Sequence, residues 1–285
     1  MKHRTMAACV AGVGMVCGVL AGAAAAGQPG GAPEKKDEKK DAKPAAVVGT
    51  GVAVVEIFTS EGCDSCPPAD DLAAKMAREA KEQGKNVFVL AMHVDYWDYL
   101  GWKDPFARHE FTTRQKAYAA AFGKSGGNAG VFTPEMVVNG ETGFNGADEK
   151  TASAAIDKGL GGGARFKIVA SVDPRRPGEP VHVHAKLNGD SRWIKIGVAV
   201  VENGLSVEVK AGENKGKTLK HDRVVRALGQ TTAKEGEADV DLKLPEGVQE
   251  ANCRVVVFGQ DEKSMSVYGA VEIALEPAKV DAPAK

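Results

Sequence analysis

Cys63 and Cys66 stand two residues apart in the stretch TSEGCDSCPPAD (59–70), and two prolines follow them at once. A Cys-x-x-Cys pair at the first turn of a helix sets the first sulfur over unpaired backbone N–H groups and the positive end of the helix dipole. Both favour thiolate over thiol, so Cys63 is the expected nucleophile. Cys66, one turn further in, is placed to attack a mixed disulfide and release the partner. Pro67 suits the first helical positions, where its missing N–H would have had no intrahelical acceptor. Asp64 and Glu61 act in the opposite sense, because negative charge beside a sulfur raises its pKa. The same pair also fits two other roles, a closed disulfide that staples the turn or two ligands of a metal site.

The chain around this motif has 285 residues, 43% of them hydrophobic, with 37 basic and 38 acidic side chains and a formal net charge of −1. Such a balance supplies no electrostatic pull towards nucleic acid or anionic lipid. Residues 1–26 run from the basic start MKHR through the apolar ACVAGVGMVCGVLAG to AAAA. That order is expected of a secretory signal cleaved after Ala26. The apolar stretch is short for a membrane span and no later one is long enough, so no stable membrane anchor is expected. The protein is thus expected to be secreted or periplasmic. Cys9 and Cys17 leave with the signal, and the remaining Cys63, Cys66 and Cys253 imply one pair plus one thiol, or an exchange system. Residues 27–46, mixed in charge and without large apolar groups, read as a disordered linker, and 277–285 as a disordered tail.

Positioning elements follow from periodicity. VAVVEIF (52–58) and VFVLAMHV (87–94) read as buried strands, with a helix over Pro67–Gln83 between them that carries Leu72, Met76 and Ala80. Strand, helix, strand is a crossover between parallel strands, which puts the cysteines at a strand-to-helix turn. An aromatic loop (93–106), a helix over 105–122 and a Gly-rich loop come next. A strand at Met136–Val138 then turns at Asn139-Gly140, and a helix spans Asp148–Lys158. From 165 to 276 short apolar or alternating runs recur at roughly ten-residue spacing, the pattern of a β-sandwich. The expected architecture is an α/β thioredoxin-like domain (47–160) followed by an all-β sandwich-like C-terminal domain (165–276), with the boundary near 161–164. Thr133-Pro134 lies between the Gly-rich loop and the hairpin. In thioredoxin-like folds that position holds a cis-proline against the cysteine pair, leaving the preceding backbone free to pair with substrate.

EIFTSEGCDSCPPAD, HVDYWDYLGWKDPF and VFTPEMVVNG, in this order and spacing, resemble the secreted thioredoxin-like family catalogued as domain of unknown function 1223. GENKGKTLKHDRVVRALG resembles a stretch of the same family's C-terminal half. The resemblance extends from about residue 52 to 275 and implies a thioredoxin-like fold and export. It assigns no substrate.

Other candidates flank the pair. His93 and Asp95 follow the second parallel strand, whose end shares a rim with Cys63, and either could shuttle protons. Tyr96, Trp97, Tyr99 and Trp102 could form a substrate lip or simply pack over the sheet end. Cys63, Cys66 and His93 together would suit copper, although copper-chaperone relatives of thioredoxin space their cysteines one residue wider. Thr59 lies four residues before Cys63, one too many for the peroxiredoxin pattern. His182 and His184 share one strand face, but two ligands without a third make a poor metal site, and a solvated polar face is expected there. Cys253 is expected to be a core thiol.

These readings converge on an exported thiol-disulfide oxidoreductase. Its catalytic residues would be Cys63, Cys66 and Pro134, with Thr133, His93, Asp95, Trp97 and Trp102 binding substrate. No cofactor beyond the redox-active disulfide is implied. The partners would be protein thiols or disulfides in the exported compartment and an electron-transfer partner of unknown identity. Two alternatives stand beside it: a copper-binding or delivery protein using Cys63, Cys66 and His93, and a non-catalytic binding module with a structural disulfide.

Overall fold

The apolar run that opens the ordered chain forms a strand because every one of its side chains finds cover. The computed structural model describes residues 45–46, 51–124, 126–127 and 129–276; the expected signal (1–26), nearly all of the 27–46 linker and the 277–285 tail lie outside the described residues. After a two-residue strand β1 (Ala45–Ala46), β2 (Ala53–Thr59) leads through the cysteine turn into α1 (Pro67–Glu82) and β3 (Val87–His93). β2 and β3 pair in parallel, from Ala53 opposite Val87 to Thr59 opposite His93, and both are buried throughout. Strands with no solvent face need packing on both sides. Ala53, Val55, Ile57, Val87, Val89 and Ala91 face a core completed by Ala69, Ala73 and Met76 of α1. The alternate residues Val54, Phe58, Phe88, Leu90 and Met92 face Phe111, Tyr118 and Phe122, which belong to α2 (His109–Lys124).

β4 (Glu135–Val138) and β5 (Thr142–Asn145) form the expected hairpin on the other edge of β2. Its turn residues Asn139 and Gly140 both have positive φ, 49° and 66°, as a type I′ turn requires. α3 (Glu149–Gly161) follows, with Asp148 as its N-cap accepting from the Thr151 N–H. No helix among the described residues is long and apolar enough to cross a membrane.

The second half supplies β6 (Lys167–Val172), β7 (Val181–Asn188), β8 (Ile194–Glu202), β9 (Leu205–Glu208), β10 (Thr218–His221), β11 (Val224–Thr232), β12 (Glu237–Leu242), β13 (Cys253–Asp261) and β14 (Val267–Ala274). β10 pairs antiparallel with β9. β1, β6, β7 and β12 form a four-stranded sheet. The remaining long strands do not close a second domain. β11 pairs in parallel with β3 at Val224 and Ala91, and the Ala91 N–H donates to the Arg223 carbonyl at 2.9 Å. One mixed eight-stranded sheet results, in the order β14-β13-β8-β11-β3-β2-β4-β5.

This corrects the expected fold class. The chain is mostly β, with three α-helices among the described residues, and is not an α/β thioredoxin-like domain followed by a separate all-β sandwich. The physical reason lies in β3 and β8. An apolar strand such as β3 is a liability as an open edge, and β11 joins it at Ala91, with Arg223 Nε donating to the Val89 carbonyl beside that join. β8 is buried on both faces: Ile194, Ile196, Val198 and Val200 meet the four-stranded sheet at Val181, Val183 and Val240, while Ala199 and Val201 share the α2 core with Phe58, Leu90 and Tyr118.

A buried polar cluster crosses that shared core. Arg114 on α2 donates from Nε to Glu56 Oε2 (2.5 Å) and from Nη2 to Glu56 Oε1 (2.8 Å), Tyr118 Oη (3.1 Å) and Gln260 Oε1 (3.1 Å). Glu56 is on β2 and Gln260 on β13, so the guanidinium ties together elements from both halves. Removing one partner of a buried pair strands the other charge, at a cost of about 3–5 kcal/mol. Arg114→Met is therefore expected to lower unfolding free energy by about that amount in urea titration, with Glu56→Gln recovering part of the loss in the double variant. A loss below about 1 kcal/mol would show that Glu56 is not dependent on this partner.

Candidate functional site

The cysteine turn is shaped by its neighbours before α1 begins. The Cys63 N–H bonds the Ser60 carbonyl (3.2 Å), and the Cys66 N–H bonds the Cys63 carbonyl (3.3 Å). Cys66 is the N-cap of α1, with the Ala69 and Asp70 N–H groups on its carbonyl. A Cβ at Gly62 would lie 3.0 Å from Trp97 Cβ, so glycine lets the chain pass close beneath the aromatic loop. Both cysteines are free thiols and buried, Cys63 at 1% exposure and Cys66 at 0%. Asp64 and Ser65 between them are exposed.

The two sulfurs differ electrostatically. The hydrogen bond from Cys66 outweighs burial and, with the Ser65 and Thr133 contacts, brings Cys63 down to about 6. Ser65 Oγ lies 3.3 Å from Cys63 Sγ, and the Thr133 carbonyl lies 3.9 Å away. Burial, the bond to Cys63 and the charge of Asp70 push Cys66 far up. Glu61, expected to oppose a thiolate, has its carboxylate engaged elsewhere: Trp102 Nε1 donates to Oε2 at 2.7 Å, and His221 Nε2 lies 3.0 Å from Oε1.

Thr133-Pro134 is a cis peptide bond. Trp97 Nε1 donates to Thr133 Oγ1 at 2.7 Å, so Trp97 bridges the cysteine turn and the proline loop. Trp102, through Glu61, braces the turn from the other side. Tyr99 is 78% exposed. Asp95 is occupied away from the sulfurs, its carboxylate accepting from Thr112 Oγ1 (2.5 Å) and paired with His109 Nδ1 (2.9 Å) at the start of α2. Gln115 and Glu135 lie behind the proline, with Gln115 Nε2 donating to Glu135 Oε2 and to the Phe132 carbonyl, each at 2.7 Å. Burial lifts Glu135 to about 7.

Beneath the pair lies a buried acid–imidazole cluster. His93, at the end of β3, sets Nδ1 2.7 Å from Asp104 Oδ2, and the same oxygen accepts from the Glu61 N–H at 2.9 Å. His93 and His221 meet edge to face with ring centroids 5.0 Å apart, and Phe106 packs against both. Burial opposes the His93 imidazolium, but Asp104, Asp70 and Glu61 prevail and raise its pKa. Asp70 sits one helical turn beyond Cys66, on the same face of α1. Burial lifts its carboxyl to about 6 against the pull of His93 and His221. Thr59 Oγ1, Asp70 Oδ1 and His93 Nε2 are all buried, and none makes a hydrogen bond of good geometry.

The far half of the chain completes the cover. Asn214 is fully buried, and its Nδ2 donates to the Glu61 and Cys63 carbonyls at 2.9 and 2.8 Å. The Asp64 N–H donates to Glu213 Oε2 at 3.0 Å. The four stretches that carry the family resemblance therefore converge here. Asp70 could have been found from its i+4 spacing to Cys66. No local signal marks Asp104, Asn214 or His221, which only the tertiary structure brings together. Cys253 belongs to the core between the two sheets, where burial raises its thiol to about 12. The ligand atoms of Cys63, Cys66 and His93 do not form a compact set; among the described residues the group that does is Asp173, His182 and His184.

Fold and site define a mixed-sheet protein whose paired-cysteine turn rests on a buried carboxylate–imidazole cluster. The chain belongs to the family described as protein of unknown function (DUF1223), whose model matches residues 54–260. A crystal structure of an Agrobacterium tumefaciens protein is similar to it at 28% identity and TM-score 0.57, covering 81% of this chain and 98% of that one. HBP35 of Porphyromonas gingivalis shares the fold at 16% identity and TM-score 0.57, covering 84% and 79%. No functionally curated protein matches the chain.

Because the folded pKa of Asp70 lies above its unfolded value of 3.8, ionising it in place weakens the fold as pH rises through about 6. Asp70→Asn removes that titration. The variant is expected to gain stability over the parent progressively from pH 4 to pH 7, by about 2 kcal/mol at the upper end. Urea unfolding at the two pH values checks this, and an equal difference at both would show that Asp70 is not held above its ordinary range.

Proposed function

We propose that the protein is an exported thiol-disulfide oxidoreductase. The observation that carries this reading is the opposite tuning of two adjacent thiols, Cys63 lowered to about 6 and Cys66 raised. A structural staple has no use for such a difference, whereas exchange requires one thiolate to attack and one thiol to wait. Export rests on the leader-like order of residues 1–26.

In this reading the Cys63 thiolate attacks one sulfur of a partner disulfide. The S–S bond breaks, the first partner sulfur leaves as thiolate, and a Cys63–partner mixed disulfide forms. Cys66 then loses its proton to the Asp70 carboxylate and attacks Cys63 Sγ, releasing the second partner sulfur. The protein's pair ends oxidised and the partner's disulfide reduced to two thiols; the reverse sequence oxidises a dithiol. Asp70 suits the base because a carboxyl near 6 is ionised at neutral pH yet close enough in pKa to exchange protons there. His93, held by Asp104 and raised in pKa by the carboxylates around it, supplies positive charge that keeps a buried carboxylate available, and His221, held by Glu61, packs against its ring. The Thr133 carbonyl beside Cys63 supports backbone docking of an extended polypeptide partner. With Cys63 only 1% exposed, docking must open the surface at Asp64 and Ser65.

Alkylation of the mature protein should show one fast thiol whose rate rises with pH around a midpoint near 6, and Ser65→Ala should move that midpoint up. Cys66→Ser should trap mixed disulfides with exported proteins, and Cys63→Ser should trap none. The decisive measurement is the Cys63/Cys66 reduction potential against thiol buffers. A value between about −270 and −120 mV is expected of an exchange pair, and one below about −300 mV would make the pair a structural bond and end this proposal.

A further inference from the structure

His182 and His184 alternate on β7, and each faces a carboxylate across the strand pair, Asp241 opposite His182 and Asp239 opposite His184. Asp241 Oδ1 lies 2.5 Å from His182 Nδ1, and Asp239 Oδ1 contacts His184 Nδ1. A carboxylate at Nδ1 fixes both the ring orientation and the tautomer, leaving the Nε2 lone pair available. Asp173, just past β6, is the third group; its N–H bonds the His182 carbonyl at 3.0 Å, and its Oδ2 lies 3.4 Å from His184 Nε2.

The sequence offers two histidines and no visible third ligand. The sheet supplies it, because the β6–β7 turn folds Asp173 back beside them. One ligand atom from each of Asp173, His182 and His184 lies within 4.8 Å of the others. Two ligands bound to zinc at 2.0–2.1 Å and a tetrahedral angle are about 3.3 Å apart, so the Asp173–His184 separation already matches and His182 needs only a small side-chain adjustment. The charge also fits. Three carboxylates surround two imidazoles, and Lys186, next along the strand on that face, is paired with Glu237 at 2.6 Å.

We propose that Asp173, His182 and His184 form a binding site for a borderline divalent transition metal, zinc by ligand type, oriented by Asp239 and Asp241. Two imidazoles and one carboxylate are ligands such an ion accepts. Three protein ligands leave a fourth position open to water or to a donor from a partner. The ion would clip the end of β6 to β7 on the outer face of the four-stranded sheet. This site is independent of the thiol chemistry and stands or falls separately from it.

The test uses the full chain carrying Cys63→Ser and Cys66→Ser, so that thiolates cannot capture the probe, titrated with zinc by calorimetry and with cobalt(II) by absorption. One equivalent of zinc is expected to bind and to raise the thermal midpoint. Asp173→Asn, His182→Gln and His184→Gln should each weaken binding at least about 10-fold, and Asp239→Asn or Asp241→Asn by about 10–100-fold. All five side chains lie at least partly in solvent, so the variants should melt like the parent in the presence of chelator. Absence of stoichiometric zinc binding, or binding that survives the loss of His182 and His184 together, would overturn the proposal.

Discussion

The short parallel join of β11 to β3, at Val224 and Ala91, is the constraint on which the rest of this structure depends. β3 is apolar on both faces and carries His93 at its end; left as an edge it would expose a row of unpaired backbone groups. Once β11 occupies that edge, the strands beside it are drawn into the same sheet, and their odd and even residues are divided between two cores. The join also delivers His221, three residues before Val224, against Glu61 and His93. Sheet continuity and site assembly are therefore one event.

Burial sets the chemistry of the site. Asp70, Glu135 and Cys66 are all driven towards their neutral forms by loss of solvent, while Cys63 is drawn the other way by hydrogen bonds that stabilise its thiolate. The cluster below pairs Asp104 with His93 and Glu61 with His221 in a volume shared with Phe106. Low local dielectric makes each of those interactions stronger and each orphaned atom more costly. Thr59 Oγ1, Asp70 Oδ1 and His93 Nε2 are such atoms, buried with no hydrogen bond of good geometry, and they gather beneath the cysteine turn.

A second buried ionic group, Arg114 with Glu56, Tyr118 and Gln260, serves a different end. It has no orphaned atom, and its members come from α2, β2 and β13. A saturated network of this kind fixes the register of the elements it links. Among the described residues, the Arg114 cluster is thus saturated, while the cluster beneath the cysteine turn keeps unpaired polar atoms.

The sequence by itself determined the local pieces. The Cys-x-x-Cys turn, the helix begun by Pro67, the parallel strands around it, the Asn139-Gly140 hairpin and most of the later strands were legible, because propensity, turn chemistry and hydrophobic period act over a few residues. The separate thioredoxin-like and sandwich domains expected from those pieces were not what formed, since runs such as IKIGVAVV read alike whether one sheet or two will bury them. Asp95 and Trp97 looked equivalent in the aromatic loop, yet Asp95 bonds the Thr112 and His109 side chains of α2 while Trp97 bonds Thr133. His182 and His184 lacked a third partner until the sheet brought Asp173 beside them. Which side chains meet across a hundred residues is decided by sheet order and by which face of each strand is buried, and those are properties of the packed whole that no short window of sequence contains.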